Sequence, residues 1–356
     1  MATDSQSSLD TREVTTSISQ VQFSQAEAEV YDRQIRLWGV EAQKRLRSAR
    51  VLVSGVCGLG AEIIKNLVLA GVKSVTILDH ESYDPESVSG AGFLLYHGET
   101  GENIAKVAVT RCQELNPMVS VEAQQDRLDT KSNEFFSQFD IVCVTNANKS
   151  ELIRVNQICR SLNVKFLCGD TFGFYGFMAS DLLNHSYNEE VLKVKADTSL
   201  GNERKRRKME NEKFVEIHEE QFTPISNIFN HSWEHLTNKQ ILRLNYSVFI
   251  LLALIEFKEQ KNRGPKYETL ESDSTELDEI ATQLEKKHNL VREGKQKFIP
   301  RGLAKYTPMD LSPICAILGG VIAQEVIKGL SGKDQPLNNL FVYNGIDSNA
   351  IVEKIS

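Results

Sequence analysis

The feature that most constrains this chain is an apolar run, a glycine turn, a helical segment and a second apolar run in immediate succession. The first run, Arg50–Ser54, leads into the turn Gly55-Val56-Cys57-Gly58-Leu59-Gly60. An amphipathic segment from Ala61 to Ala70 follows, and the run Val75–Leu78 ends at Asp79. Glycines let a backbone approach phosphates, and a helix N-terminus offers free N–H groups. The pattern therefore predicts a strand–turn–helix–strand unit of the kind that holds a nucleotide.

The candidate nucleotide contacts in this unit are three glycines and one acid. They are Gly55, Gly58, Gly60 and Asp79, whose carboxylate stands where it could accept hydrogen bonds from ribose hydroxyls. The dinucleotide fingerprint G-x-G-x-x-G requires a glycine two residues after the first, and Cys57 occupies that position. A phosphate would meet its side chain where it needs bare backbone. We therefore expect the fold of a nucleotide-binding protein around a vestigial pocket.

Further apolar runs and helical patterns alternate along the chain. Strands are predicted near 119–123, 139–145, 164–168 and 340–343, and helices near 25–38, 41–48, 103–115, 152–161 and 314–330. Because repeated β-α units build parallel sheets, this order indicates an α/β fold with a doubly wound, mostly parallel, Rossmann-like sheet. An inserted segment, helical and partly disordered, interrupts the repeat.

The composition along the chain predicts a tail, a main domain and an insertion. Residues 1–22 are polar and rich in Ser and Thr, which is typical of a disordered tail. The main domain is predicted to comprise 23–177 and 301–356. The insertion, 178–300, is expected to carry a flexible basic loop near 195–215 and helices at 233–257 and 268–293.

Charge and cysteine usage exclude several functional classes. With a formal net charge of −7 over 356 residues, bulk binding to nucleic acid or an acidic membrane is not expected. The longest apolar stretch, Tyr246 to Phe257, is too short to span a bilayer. The six cysteines are scattered without C-x-x-C spacing, so neither a zinc site nor a disulfide framework is predicted. Cys168, at a strand end before Gly169-Asp170, is the most site-like of the six.

A second distinctive string, Tyr-Asp-Arg-Gln-Ile-Arg-Leu-Trp-Gly, occupies residues 31–39. It places Arg33 and Arg36 between aromatic residues on a predicted helix that Ser24 caps. By itself this string is typical of an amphipathic surface helix. Followed by the V-L-V-x-G-x-x-G-L-G-A-E-I-x-K-N-L-x-L-A-G-V unit, however, it resembles the ubiquitin-like-protein activating enzymes and their sulfur-carrier adenylyltransferase relatives, the ThiF-like family.

The resemblance covers most of the chain and extends to later motifs. These are Ile77-Leu78-Asp79, Leu115-Asn116-Pro117, Phe139-Asp140-Ile141-Val142, the turn from Gly169 to Gly176, and the small-residue helix from Pro313 to Lys328. The likeness is to the smaller, non-thioester subunits of the heterodimeric members. It implies that the residue matching Arg33 reaches across a dimer interface to a phosphate of ATP on the partner, with Arg36 as support. It also implies that the larger partner subunit supplies the ATP and Mg²⁺ pocket and the catalytic cysteine.

Departures from the family's active pattern imply that this chain does not adenylate by itself. Active members carry an Asn-Leu-Asn-Arg-Gln string where this chain has 87–92 with no arginine, and a lysine where it has Ile104, with Lys106 two residues further on. Asn146 replaces the aspartate that holds Mg²⁺ in those members, and a neutral amide is a poor ligand for a hard cation. No cysteine lies between 169 and 314, where relatives carry the thioester nucleophile, so we predict no metal site and no thioester step in this chain.

The same βαβ unit occurs in proteins of two other functions. A stand-alone NAD-dependent oxidoreductase would use the same βαβ unit but needs glycine at Cys57. A homodimeric sulfur-carrier adenylyltransferase needs a metal aspartate and C-x-x-C pairs.

The basic run from Arg204 to Lys208 is a candidate nuclear import signal, so we expect a nuclear protein that could also be present in the cytoplasm.

Overall fold

The computed structural model describes residues 24–85, 91–96, 98–194, 211–234, 237, 240, 245–290 and 298–356. The strands are β1 Arg50–Ser54, β2 Ser74–Leu78, β3 Ser120–Gln124, β4 Ile141–Thr145, β5 Lys165–Phe172, β6 Tyr175–Asp181, β7 Asn184–Val194, β8 Asn211–Gln221, β9 Leu340–Asn344 and β10 Asn349–Glu353. The helices are α1 Gln25–Val30, α2 Asp32–Trp38, α3 Val40–Ser48, α4 Gly58–Ala70, α5 Gly92–Leu95, α6 Ile104–Leu115, α7 Asn133–Phe136, α8 Lys149–Ser161, α9 Ile225–Phe229, α10 Tyr246–Lys261, α11 Leu270–Lys287 and α12 Ser312–Ser331.

The central sheet has the strand order β10-β9-β6-β5-β4-β1-β2-β3. Five neighbouring strands, β3, β2, β1, β4 and β5, are parallel. The strands β6, β9 and β10 follow beyond β5, and each is antiparallel to its neighbour. The sheet is buried on both faces, and β1 and β4 are apolar throughout most of their buried lengths because helices cover both sides. The predicted α/β class with a mostly parallel, doubly wound sheet is confirmed.

The order of β1, β4 and β2 brings three strand ends to one edge. The chain leaves β1, crosses to β2 and β3 on one side, and then returns to place β4 on the other side of β1. This reversal of direction is a topological switch point, and ligands of open α/β sheets bind in the crevice outside the carboxyl ends of such strands. The topology therefore predicts a ligand site at the carboxyl ends of β1, β2 and β4.

The N-terminal helical region is interrupted, in contrast to the single helix expected from Gln25 to Trp38. Ser24 caps α1 as predicted, through a reciprocal capping box with Glu27. Tyr31, at φ −98° and ψ 12°, separates α1 from α2, and its side chain is buried. The helical pattern holds across this break because Tyr31 packs inward, so sequence periodicity does not reveal it.

The inserted segment contains a β-hairpin in addition to helices. The strands β7 and β8 form a two-stranded antiparallel sheet, and β6 extends the main sheet to Asp181, beyond the predicted boundary at 177. Within the span 233–257 expected to be helical, the described helix α10 begins at Tyr246, residues 233 and 234 are not helical, and Gln240 is. The helices α10 and α11 bury apolar side chains in the same cluster as β4 and β5. The division into domains stays a prediction.

The small-residue helix α12 is mostly buried against the rest of the protein. Its length and composition would suit a membrane span, but 61% of that window is buried inside the protein. It packs on α4, where a Cβ added to Gly319 would lie 2.5 Å from the Cβ of Glu62. This close packing is why a small residue is needed there, and α12 is a core helix.

Predictions for 1–22, for 87–90, and for the basic run Arg204 to Lys208 fall outside the described residues.

Candidate nucleotide site and arginine helix

A cleft of about 370 Å³ lies at the carboxyl ends of β1, β2 and β4. Its lining includes Gly55 and Asp79 from the glycine unit, and Thr145 and Asn146 after β4. Lys258, from the far end of α10, closes one side. The structure thus brings together residues that the sequence analysis treated as separate motifs, at the edge where the topology predicts a site.

The glycines of the turn are required by the packing of the chain itself. Gly55 has φ +93°, and a Cβ there would lie 2.6 Å from the Thr145 carbonyl oxygen. A Cβ at Gly60 would lie 1.9 Å from the carbonyl oxygen of Gly55. The Thr145 hydroxyl donates to that same carbonyl at 3.0 Å. These two glycines therefore close the turn against β4 whether or not a ligand binds.

Asp79 is engaged by the backbone of the turn. One carboxylate oxygen accepts the Val56 N–H at 2.7 Å, and the other accepts the Glu81 N–H at 2.9 Å. Burial raises the pKa of Asp79, and these two hydrogen bonds oppose the rise. The predicted ribose acid thus orders the glycine turn, and Glu81, the second acid of this loop, is exposed.

The cations that line the cleft are paired with acids. Arg127 contacts Asp129 at 3.2 Å. Arg263 makes a two-pronged contact with Asp273, at 2.8 and 2.9 Å, which lowers the pKa of that carboxyl to about 2. The remaining cation of the described lining, Lys258, is paired with an acid of β5. Four acids share this lining: Asp79, Glu81, Asp126 and Glu151. The charges of the described cleft therefore do not favour a polyanion.

Asn146, which the sequence analysis predicts to replace a metal-binding aspartate, is bound to an ammonium group. Its Oδ1 accepts from Lys258 Nζ at 2.7 Å, and the same Nζ lies 2.6 Å from an oxygen of Asp170. The Lys258 and Asp170 side chains are each 9% exposed. A cation supplied by α10 therefore stands between oxygen ligands at this position. Among the described residues, no cluster of His, Cys, Asp or Glu forms a metal site.

The N-terminus of α4 is capped by a distant carboxylate. Cys57 at the N-cap makes no capping bond through its side chain. Instead, the Gly58 N–H donates to Asp310 at 3.2 Å, and the Thr171 hydroxyl donates to the other oxygen of Asp310 at 2.9 Å. Neither Asp310 nor Lys258 was predicted. Both come from segments far from the glycine unit in sequence and carry no local motif.

The two candidate arginines of α2 differ in their contacts. Arg36 pairs with Asp32 one turn earlier, with Nε 3.0 Å from the carboxylate. Arg33 is exposed and makes no hydrogen bond or ion pair with the part of the chain that the structure describes. Lys106, in contrast, is exposed beside Glu102, and Ile104 is buried. Arg33 is thus a guanidinium free to contact something else.

The inner face of α2 explains how Arg33 is presented. Tyr31 is 2% exposed, and its hydroxyl accepts from the Asn116 side chain at 2.9 Å. At the other end of the helix, Trp38 donates to Gln43 at 2.7 Å, and Gln43 donates to the Ala70 carbonyl at 2.9 Å. Helical spacing puts these anchors on one side and Arg33 on the other. The aromatic residues of the 31–39 string therefore hold the arginine outward.

The cysteines are not arranged as nucleophiles. Cys168, the most site-like by sequence, is fully buried within β5, and burial raises its pKa well above the usual value. Burial also raises the pKa of Cys112, Cys143, Cys159 and Cys315 to about 12. Cys57 is half-buried and also has a raised pKa. The prediction that Cys168 stands at a strand end is wrong, because the strand continues through it to Phe172.

The fold and the position of this cleft are those of an α/β protein built on a nucleotide-binding scaffold. Residues 31–356 match the ThiF family. The chain is 41% identical over 339 residues to SUMO-activating enzyme subunit 1 of Xenopus tropicalis, covering 93% of this chain and 96% of that protein. It is 40% identical over 336 residues to the Homo sapiens subunit 1, with the same shares, and 38% identical over 340 residues to the Danio rerio one, covering 94% and 96%.

This chain belongs to the ThiF family. The resemblance inferred from the residue strings is confirmed, and the relatives are named as subunit 1 of a SUMO-activating enzyme. The Arg33 segment and the glycine unit both lie within the matched range.

Proposed function

We propose that this chain is the smaller subunit of a SUMO-activating enzyme, that it is inactive in adenylation by itself, and that it lends Arg33 to a larger catalytic partner. In the proposed reaction, the C-terminal carboxylate of SUMO attacks the α-phosphorus of ATP and pyrophosphate leaves, which gives an acyl-adenylate. A cysteine thiol of the partner then attacks the acyl carbon, so that a thioester forms and AMP leaves. The partner holds ATP and Mg²⁺. The observation that carries the proposal is Arg33, exposed and without an ion pair among the described residues, beside the paired Arg36.

The chemistry of the guanidinium suits this role. Arginine stays charged and presents a planar fork of donors that matches phosphate oxygens. A positioned donor of this kind that stabilises charge on departing phosphates contributes roughly 3 kcal/mol in comparable sites. Presentation on an anchored helix supports the assignment, because a group that acts across an interface must be held in place before the partner arrives.

Exposed apolar and small residues on α12 support a partner of similar fold. Pro313, Ala316, Ile317 and Gly320 follow one another at helical spacing on its outer face, with Ile317 44% exposed. A Cβ added to Gly320 would meet nothing within 4 Å, so a second backbone could approach closely there. The larger subunit is the partner that we propose for this surface.

The test is Arg33→Ala in the reconstituted pair, measured by ATP–pyrophosphate exchange. We expect exchange to fall by about 100-fold, the size of effect found when one transition-state donor is removed, while the heterodimer still assembles. Arg36→Ala is the matched control on the same helix, and its effect is expected to be smaller because Arg36 already has Asp32 as partner. Exchange that is unchanged by Arg33→Ala would remove Arg33 from the mechanism.

The inactivity of the chain alone has its own test. Without the partner we expect no pyrophosphate exchange, since the cleft has paired cations and Asn146 in place of an acid. Exchange by the isolated chain would favour the sulfur-carrier adenylyltransferase alternative instead. The proposed nuclear location rests on the run from Arg204 to Lys208, and replacing its basic residues by alanine in cells should move the protein to the cytoplasm if that run is the import signal.

A further inference from the structure

The degenerate nucleotide cleft contains polar groups that would be costly to leave without partners. The first N–H groups of a helix have no partner within the helix, and α4 begins at the glycine turn with no cap from Cys57. Asp170 is a buried carboxylate beside the same turn. In a site that keeps its backbone but does not hold a ligand, something else must satisfy these groups.

A continuous chain of hydrogen bonds supplies those partners. The Gly58 N–H and the Thr171 hydroxyl both donate to Asp310, at 3.2 and 2.9 Å. The Thr171 N–H donates to Asp170 at 2.9 Å. Lys258 then joins Asp170 to Asn146, at 2.6 and 2.7 Å. This network of hydrogen bonds thus links the start of α4, the end of β5, the end of β4 and the C-terminal part of α10.

The charges in this network have the signs of the missing ligand. An anion, the Asp310 carboxylate, lies at the helix N-terminus, where nucleotide folds of this class place a phosphate. A cation, the Lys258 ammonium, lies between two oxygen atoms at the position matching the metal aspartate of active relatives. We infer that Asp310 and Lys258 are built-in substitutes for a nucleotide phosphate and for its divalent cation, so that the polar groups of the site stay paired without ATP.

The charge on Asp310 is held at a cost that its hydrogen bonds offset. Burial is the largest cause of the raised pKa of Asp310, and the nearby Asp170 adds to it. The surroundings therefore disfavour the charged form of this carboxylate, and the hydrogen bonds from Gly58 and Thr171 oppose that effect. A neutral amide, as in Asp310→Asn, could accept hydrogen bonds at this place at lower cost. The inference rests on the proposed function, in which this subunit holds no productive ATP, and it adds the residues that replace the ligand.

The experiment is chemical rescue of the full chain, followed by thermal unfolding. Wild type should show no change in melting temperature with inorganic phosphate or with MnCl₂. Asp310→Ala should melt below wild type, and saturating phosphate should raise its melting temperature by about 2 °C or more, because the anion can occupy the vacated helix N-terminus. Asp310→Asn is the matched control: it keeps an acceptor there, so phosphate should have no effect.

The cation is tested in the same way. Lys258→Ala should melt below wild type because Asp170 loses its partner, and MnCl₂ should restore part of the loss. Lys261→Ala, three residues later on α10, removes an exposed pair with Glu276 and should respond to neither ion. If Asp310→Ala does not fold, Asp310→Ser leaves similar space and takes its place.

Three results would overturn the inference. The first is stabilisation of wild type by phosphate or MnCl₂, which needs no variant to be measured. The second is a folded Asp310→Ala or Asp310→Ser variant that ignores phosphate, and the third is a folded Lys258→Ala variant that ignores MnCl₂. None of these results touches Arg33, so a failure here is distinguishable from a failure of the exchange assay with Arg33→Ala.

Discussion

Replacement of Tyr31 tests how the outward arginine is held. Its ring lies under Gly71, where an added Cβ would be 2.4 Å from the ring, and its hydroxyl accepts from Asn116. Tyr31→Ala removes a side chain that is 2% exposed and leaves a cavity. By analogy with other buried aromatic residues, we expect the free energy of unfolding to fall by about 4 kcal/mol.

Tyr31→Phe separates the ring from the hydroxyl. It keeps the packing under Gly71 but leaves one N–H of the Asn116 side chain without its acceptor, while the bond of that side chain to the Val68 carbonyl, at 2.8 Å, survives. A lost buried hydrogen bond of this kind costs about 1 to 2 kcal/mol. The two variants should therefore differ by roughly 2 to 3 kcal/mol, most of the total coming from the ring.

The assay is urea unfolding followed by tryptophan fluorescence in a Trp233→Phe background, so that Trp38, at the end of α2, is the reporter. Tyr31→Ala should also shift the emission of Trp38 in the native state, because α2 loses its first anchor, and should lower pyrophosphate exchange with the partner as Arg33→Ala does. Equal costs for Tyr31→Ala and Tyr31→Phe, or a Trp38 emission that does not move, would refute the anchoring argument.

Three further predictions concern the glycine turn, an ion pair and the thiols. Gly60→Ala should abolish soluble expression because its Cβ would lie 1.9 Å from the Gly55 carbonyl, whereas Gly320→Ala, with open space around it, should change the free energy of unfolding by less than about 1 kcal/mol. The Asp273 pKa is lowered, so its contribution to stability is complete above the carboxyl's usual pKa and is lost as pH falls towards about 2; the unfolding of Asp273→Asn should vary less with pH over that range. Thiol titration with a chromogenic disulfide should show the buried cysteines reacting only on unfolding, since a raised pKa removes the thiolate.

The helices and strands around the glycine unit were largely predictable because local chemistry sets them. The predicted strand Val75–Leu78 appears as Ser74–Leu78, and the helix expected to end before Pro117 runs from Ile104 to Leu115 with Asn103 as its cap. The break at Tyr31 and the hairpin of β7 and β8 were not predicted. Each depends on contacts with distant residues, such as the docking of Tyr31 against Asn116, that periodicity does not report.

The candidate site was predictable in its backbone and not in its contacts. The sequence predicts Gly55 and Asp79 as remnants of a nucleotide site and Asn146 as a departure from one. The structure brings all three to one cleft. The pairing of Asn146 with Lys258 joins residues 112 positions apart. No sequence motif predicts this pair, because α10 comes to lie beside the end of β4 only when the chain folds.

The sequence by itself determined the class of this protein: a glycine turn between apolar runs, and an arginine string between aromatic residues before it, follow from short-range backbone and side-chain requirements. Only the tertiary structure decided how the arginine helix is docked and which groups pair beside the cleft. The pair of Arg36 with Asp32 follows from helical spacing, but the docking of Tyr31 against Asn116, which turns Arg33 outward, joins residues far apart in sequence. Likewise Asp310 and Lys258 gain their roles from neighbours far away along the chain, since charge and hydrogen bonding act through space.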